Sequence, residues 1–379
     1  MHILISPNAF KNSIDAAAAA RAIEKGLQQS ALHCTTRCFP VGDGGDGTGH
    51  LLTQLCNGIF VNAPAHDPLG RKIDAGFGLI DKGQTAVIEM AAASGLRLLG
   101  LEELDPLHAS SCGTGELMRK ALDSGVKKII LCVGGSATVD GGCGILEALG
   151  IRFLDASGKA LKGIPESLVN LSAIDLSGLD KRMAGVNCTI LADVSNTLLG
   201  NKGAASIFGP QKGASGADVK KLEASLIKFN QVVFGMTGID MASTIHGGAA
   251  GGTAAGLQAL LQADIVNGID YFLAITNFDE ALQQAHLVIT GEGSIDLQTL
   301  EGKAPYGIAL RAKKKNIPVI GMAGKLPEAP CAELDVYFDE LININKDETD
   351  IETAMLSARD NLERAAFELG NRLAIKEKD

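Results

Sequence analysis

The sequence predicts an α/β protein: a doubly wound parallel sheet built from both ends of the chain, with a second α/β domain inserted between them. Three observations carry this. Short apolar runs such as His2-Ile-Leu-Ile-Ser6, Lys128-Ile-Ile-Leu-Cys-Val133 and Ile317-Pro-Val-Ile-Gly-Met322 recur, the first followed by a loop, the others by glycine-bearing turns, and the first two then by a helical pattern. The 46 glycines gather at the ends of such runs. The alternation is broken over residues 58–83 by short alternating segments with turns, and returns after residue 285. Residues 1–75 with 283–379 are therefore expected to form one Rossmann-like domain, and residues 76–282 the inserted one, with a cleft between them.

Each element follows from local pattern. A buried strand is expected at residues 2–6, a loop at 7–12 and a helix over 14–29, with Ser13 as its N-cap and Ile23 and Leu27 on one face. Lys11 would then stand one turn before a helix N-terminus, where ammonium and amides act together on an anion. A strand over 34–41 leads into Gly42-Asp-Gly-Gly-Asp-Gly-Thr48 and a helix over 49–56. Asp43 and Asp46 suit magnesium or substrate hydroxyls there, although Asp-Gly is also ordinary turn chemistry.

A strand over 85–90 ends at Ala91-Ala-Ala-Ser-Gly95, and Ser110-Ser-Cys-Gly-Thr-Gly115 caps a helix over 116–124. The strand over 128–133 then opens Val133-Gly-Gly-Ser-Ala-Thr-Val-Asp-Gly-Gly-Cys-Gly144 before a helical run from Ile145. Such a turn points backbone amides outward beside a helix N-terminus, which suits phosphate; Ser136, Thr138 and Asp140 add groups for a metal or a hydroxyl. The plain alternative is a tight crossover.

Beyond a strand over 151–154, turns fill residues 158–185, and the strand Cys188-Thr-Ile-Leu-Ala-Asp193 presents Asp193 at its C-terminal end, where α/β enzymes place reactive groups. Phe208-Gly-Pro-Gln-Lys-Gly213 precedes an amphipathic helix over 217–234, and the small residues of Gly247-Gly-Ala-Ala-Gly-Gly252 suit tight packing. Strands over 285–290 and 317–322, turns at 291–296 and 302–305, and a charged helix over 351–376 close the chain.

Composition narrows the function. With 46% hydrophobic and 21% charged residues, the 379-residue chain reads as a globular enzyme, and a net charge of −10 disfavours nucleic acid and anionic membrane as partners. No run reaches spanning length and no basic leader precedes the first strand, so a cytoplasmic protein is expected. The eight cysteines lack a Cys-x-x-Cys pair and read as reduced core residues, neither disulfide frame nor zinc site. The dinucleotide fingerprint fails at Gly113-Thr-Gly115, where Met118 replaces the third glycine, and at Gly291-Glu-Gly293, where Asp296 does. A Walker-type loop, a nucleophile elbow and a His-Glu-x-x-His pair are all missing. Glycine-rich turns at strand ends, with Lys11, Lys212 and Lys303 nearby, describe instead a site for phosphate groups and a metal.

One ordered series of motifs goes further. It comprises Phe10-Lys11 with Ser13, Gly42-Asp-Gly-Gly-Asp-Gly-Thr48, Pro68-Leu-Gly-Arg71, Ala86-Val-Ile-Glu-Met-Ala91 with Ala93-Ser-Gly-Leu96, and Gly113-Thr-Gly-Glu-Leu117. It continues through Gly134-Gly-Ser-Ala-Thr138, Asp140-Gly-Gly142, Ala192-Asp-Val194, Phe208-Gly-Pro-Gln-Lys-Gly-Ala214, Gly291-Glu-Gly293, Asp296 and Gly302-Lys-Ala-Pro305. This series resembles the type I bacterial glycerate kinases over nearly the whole chain.

The resemblance implies ATP-dependent phosphorylation of D-glycerate with Mg²⁺, leaning toward the 2-hydroxyl, in a two-domain fold with its active site in the interdomain cleft. Glycerate and ATP are the partners it implies; a homo-oligomer is compatible with the sequence. Carried onto this chain, Lys11 with Ser13 would hold the glycerate carboxylate or the transferring phosphoryl group. Asp43 and Asp46 would bind acceptor hydroxyls or the metal, with Gly44, Gly45 and Ser94 lining the acceptor. Asp193 is the first choice for the base and Asp296 the second, while Gly134, Gly135, Ser136, Thr138, Gly291, Glu292 and Gly293 would cradle ATP. The chain departs from the family pattern at Asn8, Ala9, Val139 and Ser294, where Asp, Ser, Asn and Arg are expected. The alternative reading is a diverged member that binds nucleotide or a small hydroxy acid without efficient turnover, or a kinase for a related hydroxy acid.

Overall fold

Parallel strands that are apolar on both faces need helices on both faces, and this requirement shapes the first of two units. The structure, a computed structural model, describes residues 1–345 and 350–376. The strands in chain order are β1 (His2–Pro7), β2 (Thr35–Cys38), β3 (Ile59–His66), β4 (Lys72–Ile80), β5 (Thr85–Glu89), β6 (Lys128–Cys132) and β7 (Arg152–Leu154). They continue as β8 (Ala173–Asp175), β9 (Asn187–Ala192), β10 (Asp264–Asn267), β11 (Leu287–Ser294), β12 (Val319–Lys325) and β13 (Glu340–Asn343).

Unit 1 comprises Met1–Asp43 and Ile269–Asp379. Its sheet has the order β13-β12-β11-β1-β2, all parallel, so the order reverses between β1 and β11. This is the doubly wound arrangement in which ligands bind beyond the carboxyl ends of the strands at the reversal. On one face Ile3, Ile5, Leu287, Ile289, Ile320 and Met322 pack with Ile23 and Leu27 of the helix Ala16–Gln29 and with Leu362 and Leu369 of the helix Ala358–Lys376. Each such fully buried side chain contributes roughly 1.5–3 kcal/mol. The helix Ala304–Lys313 packs on β1, β11 and β12 and buries Ile308 and Ala312. The C-terminal helix is interrupted near Ser357, giving Ile351–Leu356 and Ala358–Lys376.

Unit 2 is Gly44–Gly268. Its sheet has the order β10-β9-β6-β5-β4-β3, with β5, β6, β9 and β10 parallel and β3 and β4 an antiparallel hairpin at one edge. That hairpin spans the expected boundary at 75/76, and the compact units divide instead at Asp43/Gly44 and Gly268/Ile269. β4 pairs with β5 as well as with β3, so the meander belongs to the inserted unit, which begins at Gly44. At the far side unit 1 resumes at Ile269, whose helix, Gly268–Ile275, buries Phe272 and Leu273, and within that unit Gly307 backs directly onto Ile269. Residues 158–185 hold β8 as well as turns, and β8 pairs with β7 in a small two-stranded sheet. Residues 247–252 serve packing, as their size suggests: Gly141 N–H donates to the Gly251 carbonyl at 3.0 Å, so this stretch lies against the 138–142 turn.

Candidate active site

In unit 1 the chain leaves β1 at the sheet reversal and turns tightly. Phe10 N–H donates to Ile14 O (2.9 Å), and Ser13 and Ile14 donate back to Phe10 O. The helix therefore starts at Ala16 and not at residue 14, and its N-cap is Asp15, whose carboxylate accepts from Ala18 N–H at 2.7 Å. Ser13 does not cap; its hydroxyl donates to the Met355 carbonyl. Lys11 lies on the exposed turn, its backbone N 3.7 Å from where a side chain on Gly293 would begin. Gly291 to Gly293 do not form the expected turn; they continue β11, paired with β12, and Lys11 meets this strand end at the reversal, since Asn8 N–H also donates to Gly291 O at 2.8 Å.

Three acidic residues share this end of the sheet. Asp43 is buried and accepts from Asn8 Nδ2 at 2.8 Å, while Asn8 Oδ1 accepts from Ala9 N–H. Glu292, at the end of β11, is 8% exposed and accepts from Thr299 Oγ1 at 3.1 Å. Burial pushes its carboxyl up to about 8; Lys303 and the Thr299 bond oppose that rise, and Asp43 and Asp296 add to it. Asp296 caps the short helix Leu297–Glu301 by accepting from Gln298 N–H at 2.9 Å, and Ser294 Oγ donates to it at 3.3 Å. Capping is a structural use of the second-choice base.

In unit 2 the carboxyl ends of β5, β6 and β9 stand side by side, in register at Glu89, Cys132 and Leu191. The loop from Gly44 lies against them. Gly44 has φ +102°, and a Cβ there would stand 2.5 Å from the Leu191 carbonyl; one on Gly134 would stand 2.4 Å from Gly45 Cα. Only glycine permits both approaches. Gly134 N–H donates to Gly44 O at 2.9 Å, closing the junction. Half-buried Asp193 follows two residues beyond Leu191, so the structure gathers Gly44, Gly45, Gly134 and Asp193 at one sheet end. Asp46 accepts from Arg97 Nη1 at 2.8 Å, and Gly135 lies beside it.

The glycine-rich turn itself differs from the expected amide cradle. Asp140 is fully buried and takes its helix-side amides inward: Oδ1 accepts from Gly142 N–H (3.0 Å), and Oδ2 from Gly144 N–H (3.1 Å), Ser111 N–H (2.9 Å) and Ser111 Oγ (2.6 Å). The following helix, Cys143–Ala148, has only six residues. Ala137 N–H donates to Ser94 O at 2.8 Å, and Leu96 N–H to Gly135 O at 2.9 Å. Ser94 is buried, its hydroxyl bonded to Thr114 Oγ1 at 2.7 Å. Ser136 and Thr138 are buried too, leaving Gly134 and Gly135 as the accessible tip. Val139 packs in the apolar core of the unit, which explains an apolar residue there.

Two groups escaped the sequence reading. Glu89 ends β5 and accepts from Gly49 N–H (2.6 Å) and His50 N–H (3.2 Å), fixing the start of the helix Thr48–Leu55; burial, then Asp46, raise its carboxyl above the usual range. Its position at the end of an apolar strand was the available signal. Arg97 had none, because an isolated arginine in a turn looks like solvated surface.

Among the described residues no group of three His, Cys, Asp or Glu is arranged to hold a metal, and no helix is long and apolar enough to cross a membrane. Of the two carboxylates considered for magnesium, Asp43 is chemically suited, being buried beside other acids, whereas Asp46 is half exposed and pairs with Arg97 at 2.8 Å.

Comparison with known proteins agrees with the ordered motifs. The sequence model of the glycerate kinase family matches residues 3–374. Glycerate kinase of Bacillus subtilis (strain 168) is 42% identical over 369 residues, covering 97% of each chain. Glycerate 2-kinase of Escherichia coli (strain K12) is 41% identical over 379 residues, covering 99% of this chain and 98% of the other. The crystal structure of a proposed glycerate kinase 2 from Salmonella typhimurium LT2 superposes with a TM-score of 0.81 at 37% identity, covering all of both chains. A phosphate-suited sheet reversal, strand-end acids and this similarity across the whole length converge: the chain belongs to the glycerate kinase family, whose members are phosphotransferases.

Proposed function

We propose that the chain transfers the γ-phosphoryl group of Mg-ATP to the 2-hydroxyl of D-glycerate. The observation that carries this reading is the gathering of Asp193, Gly44, Gly45 and Gly134 at the carboxyl ends of parallel strands, in a chain whose Escherichia coli relative is named glycerate 2-kinase. The 2-hydroxyl oxygen forms a bond to the γ-phosphorus as the bond from that phosphorus to the β,γ-bridging oxygen breaks, and ADP leaves. The hydroxyl proton passes to the Asp193 carboxylate. Such transfers ask a protein mainly to align the two oxygens and neutralise the phosphoryl charge. Lys11 supplies positive charge from an exposed turn beside Gly293, and Gly291 to Gly293 let backbone approach the phosphates.

Magnesium would be held by Asp43, with Glu292 beside it, and would supply neutralisation of the phosphate oxygens. Glu292, whose carboxyl burial and the neighbouring Asp43 and Asp296 raise, would lose a proton more readily with a divalent cation held there. Asn8 suits this arrangement, because its amide fixes one Asp43 oxygen without adding a further buried charge.

The test is coupled ADP release with D-glycerate and Mg-ATP, followed by phosphorus NMR of the product. Release with 2-phosphoglycerate as product is expected. Formation of 3-phosphoglycerate would overturn the 2-hydroxyl assignment, and ATP binding without release would favour the non-catalytic reading.

A further inference from the structure

In unit 2 the strand β9 ends at Ala192, and residues 193–197 run on as irregular chain, so the course of this segment is set by what it touches. A turn some fifty residues later touches it twice. His246 Nδ1 donates to the Val194 carbonyl at 2.6 Å, and Gly248 N–H donates to the Asn196 carbonyl at 2.9 Å. A Cβ on Gly248 would stand 2.3 Å from the Thr197 carbonyl, so the two segments are in close contact.

A carbonyl only accepts, so the bond to Val194 requires the ring proton on Nδ1 and fixes which nitrogen of half-buried His246 carries it. His246 makes this bond from φ +63°, the left-handed region, which glycine enters freely and histidine only at a cost. The turn that carries it is firm. Gly247 N–H donates to Thr244 O and Ala249 N–H to His246 O, each at 3.0 Å, and Thr244 Oγ1 donates to Gln258 Oε1 of the helix Thr253–Leu261 at 3.0 Å. Backbone strain of this kind persists where the side chain does something that glycine could not, and here the side chain spends its donor on the residue next to Asp193.

We propose that His246 is a positioning residue for the phosphoryl transfer: its Nδ1–H holds the Val194 carbonyl and thereby sets where the neighbouring Asp193 carboxylate stands. This rests on the reading of Asp193 as the base that accepts the hydroxyl proton. A carboxylate in that role must keep hydrogen-bond reach to the hydroxyl, and a small displacement there lowers turnover more than affinity. Loss of the His246 bond therefore appears in kcat, with both substrates still bound.

The experiment uses the full chain and compares wild type with His246→Gly, His246→Asn, His246→Asp, Asp193→Asn and the double variant of His246→Gly with Asp193→Asn. Coupled assays give kcat and the KM for ATP and for D-glycerate, and circular dichroism in urea gives the unfolding midpoint. Glycine suits the left-handed backbone and removes the bond, so kcat should fall about tenfold or more, with both KM values within about threefold and the midpoint nearly unchanged. A residue needed only for folding would move the midpoint instead. Asparagine tolerates the same backbone and carries an N–H donor on the branch where the ring has Nδ1, so it should bring kcat to within about threefold of wild type, whereas aspartate, of the same shape without the donor, should not. The double variant should be no slower than Asp193→Asn alone, because both residues act through one carboxylate. Turnover within about threefold of wild type in His246→Gly, equal kcat in the Asn and Asp variants, or a double variant slower than Asp193→Asn by the full factor of His246→Gly overturns the proposal. If His246→Gly does not fold, the comparison of His246→Asn with His246→Asp decides. An Asp193→Asn enzyme that keeps its turnover removes the base assignment and this inference with it; an inactive Asp193→Asn beside a fully active His246→Gly removes this inference alone.

Discussion

Replacing Glu292 with Gln removes a buried carboxyl while keeping its shape, and the consequence depends on pH in a defined direction. Burial first, then Asp43 and Asp296, raise the native carboxyl from 4.5 to about 8 against the opposing Lys303 and Thr299. Between those values the unfolded chain has released a proton that the native chain retains. Stability therefore falls as pH rises, by about 1.4 kcal/mol per pH unit. The contribution is complete below 4.5, is lost as pH rises through 8, and amounts to roughly 5 kcal/mol over the window. Glu292→Gln abolishes this component, so the variant should gain on wild type by about that amount between pH 4.5 and 9. The chain supplies its own probe: its three tyrosines, Tyr271, Tyr306 and Tyr337, all lie in unit 1 with Glu292, and there is no tryptophan. Urea unfolding followed by tyrosine fluorescence at several pH values below 9 reads the relevant transition. A stability difference between variant and wild type that is the same at pH 5 and pH 9 would refute the reasoning.

Two further outcomes follow. Asp193→Asn should reduce kcat at least 100-fold with little change in the unfolding midpoint, the range expected for loss of a general base; turnover within threefold of wild type in the coupled assay dismisses Asp193 from that role. Asp140→Ala leaves four buried donors at Ser111, Gly142 and Gly144 without their acceptor, and should cost unit 2 roughly 4 kcal/mol or more in urea unfolding followed by circular dichroism; a cost below 1 kcal/mol would show that the turn does not depend on that carboxylate.

What could be read from the sequence was whatever one segment's own pattern specifies. The runs at 2–6, 128–133 and 188–193 announce strands because burial on both faces makes them continuously apolar, and the turn after 128–133 announces a site because glycine accumulates there. The domain boundary was not legible, because pairing of β4 with β5 is a long-range choice that the meander's alternating pattern does not encode. The helix start was misread for a local reason: Ser13 and Asp15 are both good caps, and the bond from Phe10 N–H to Ile14 O decides between them by delaying the helix. Asp140 and Lys212 show the same limit. Both were visible as polar residues in glycine-rich motifs, but which amides one would absorb and which turn the other would enter depend on elements far apart in sequence.

Asn8 brings these strands together. By comparison with the family pattern it looks like the loss of a carboxylate, and from sequence alone that loss counts against activity. In the folded chain the side chain accepts from Ala9 N–H and donates to Asp43 Oδ2 at 2.8 Å, in a region where Glu292 is already held protonated by burial and neighbouring acids. Like charges at that separation cannot both ionise readily, so an Asp at position 8 would share a proton with Asp43 unless a cation sat between them. The amide instead donates to one Asp43 oxygen and holds that side chain in place. The substitution thus leaves in place the Asp43 carboxylate, the group proposed above to hold magnesium.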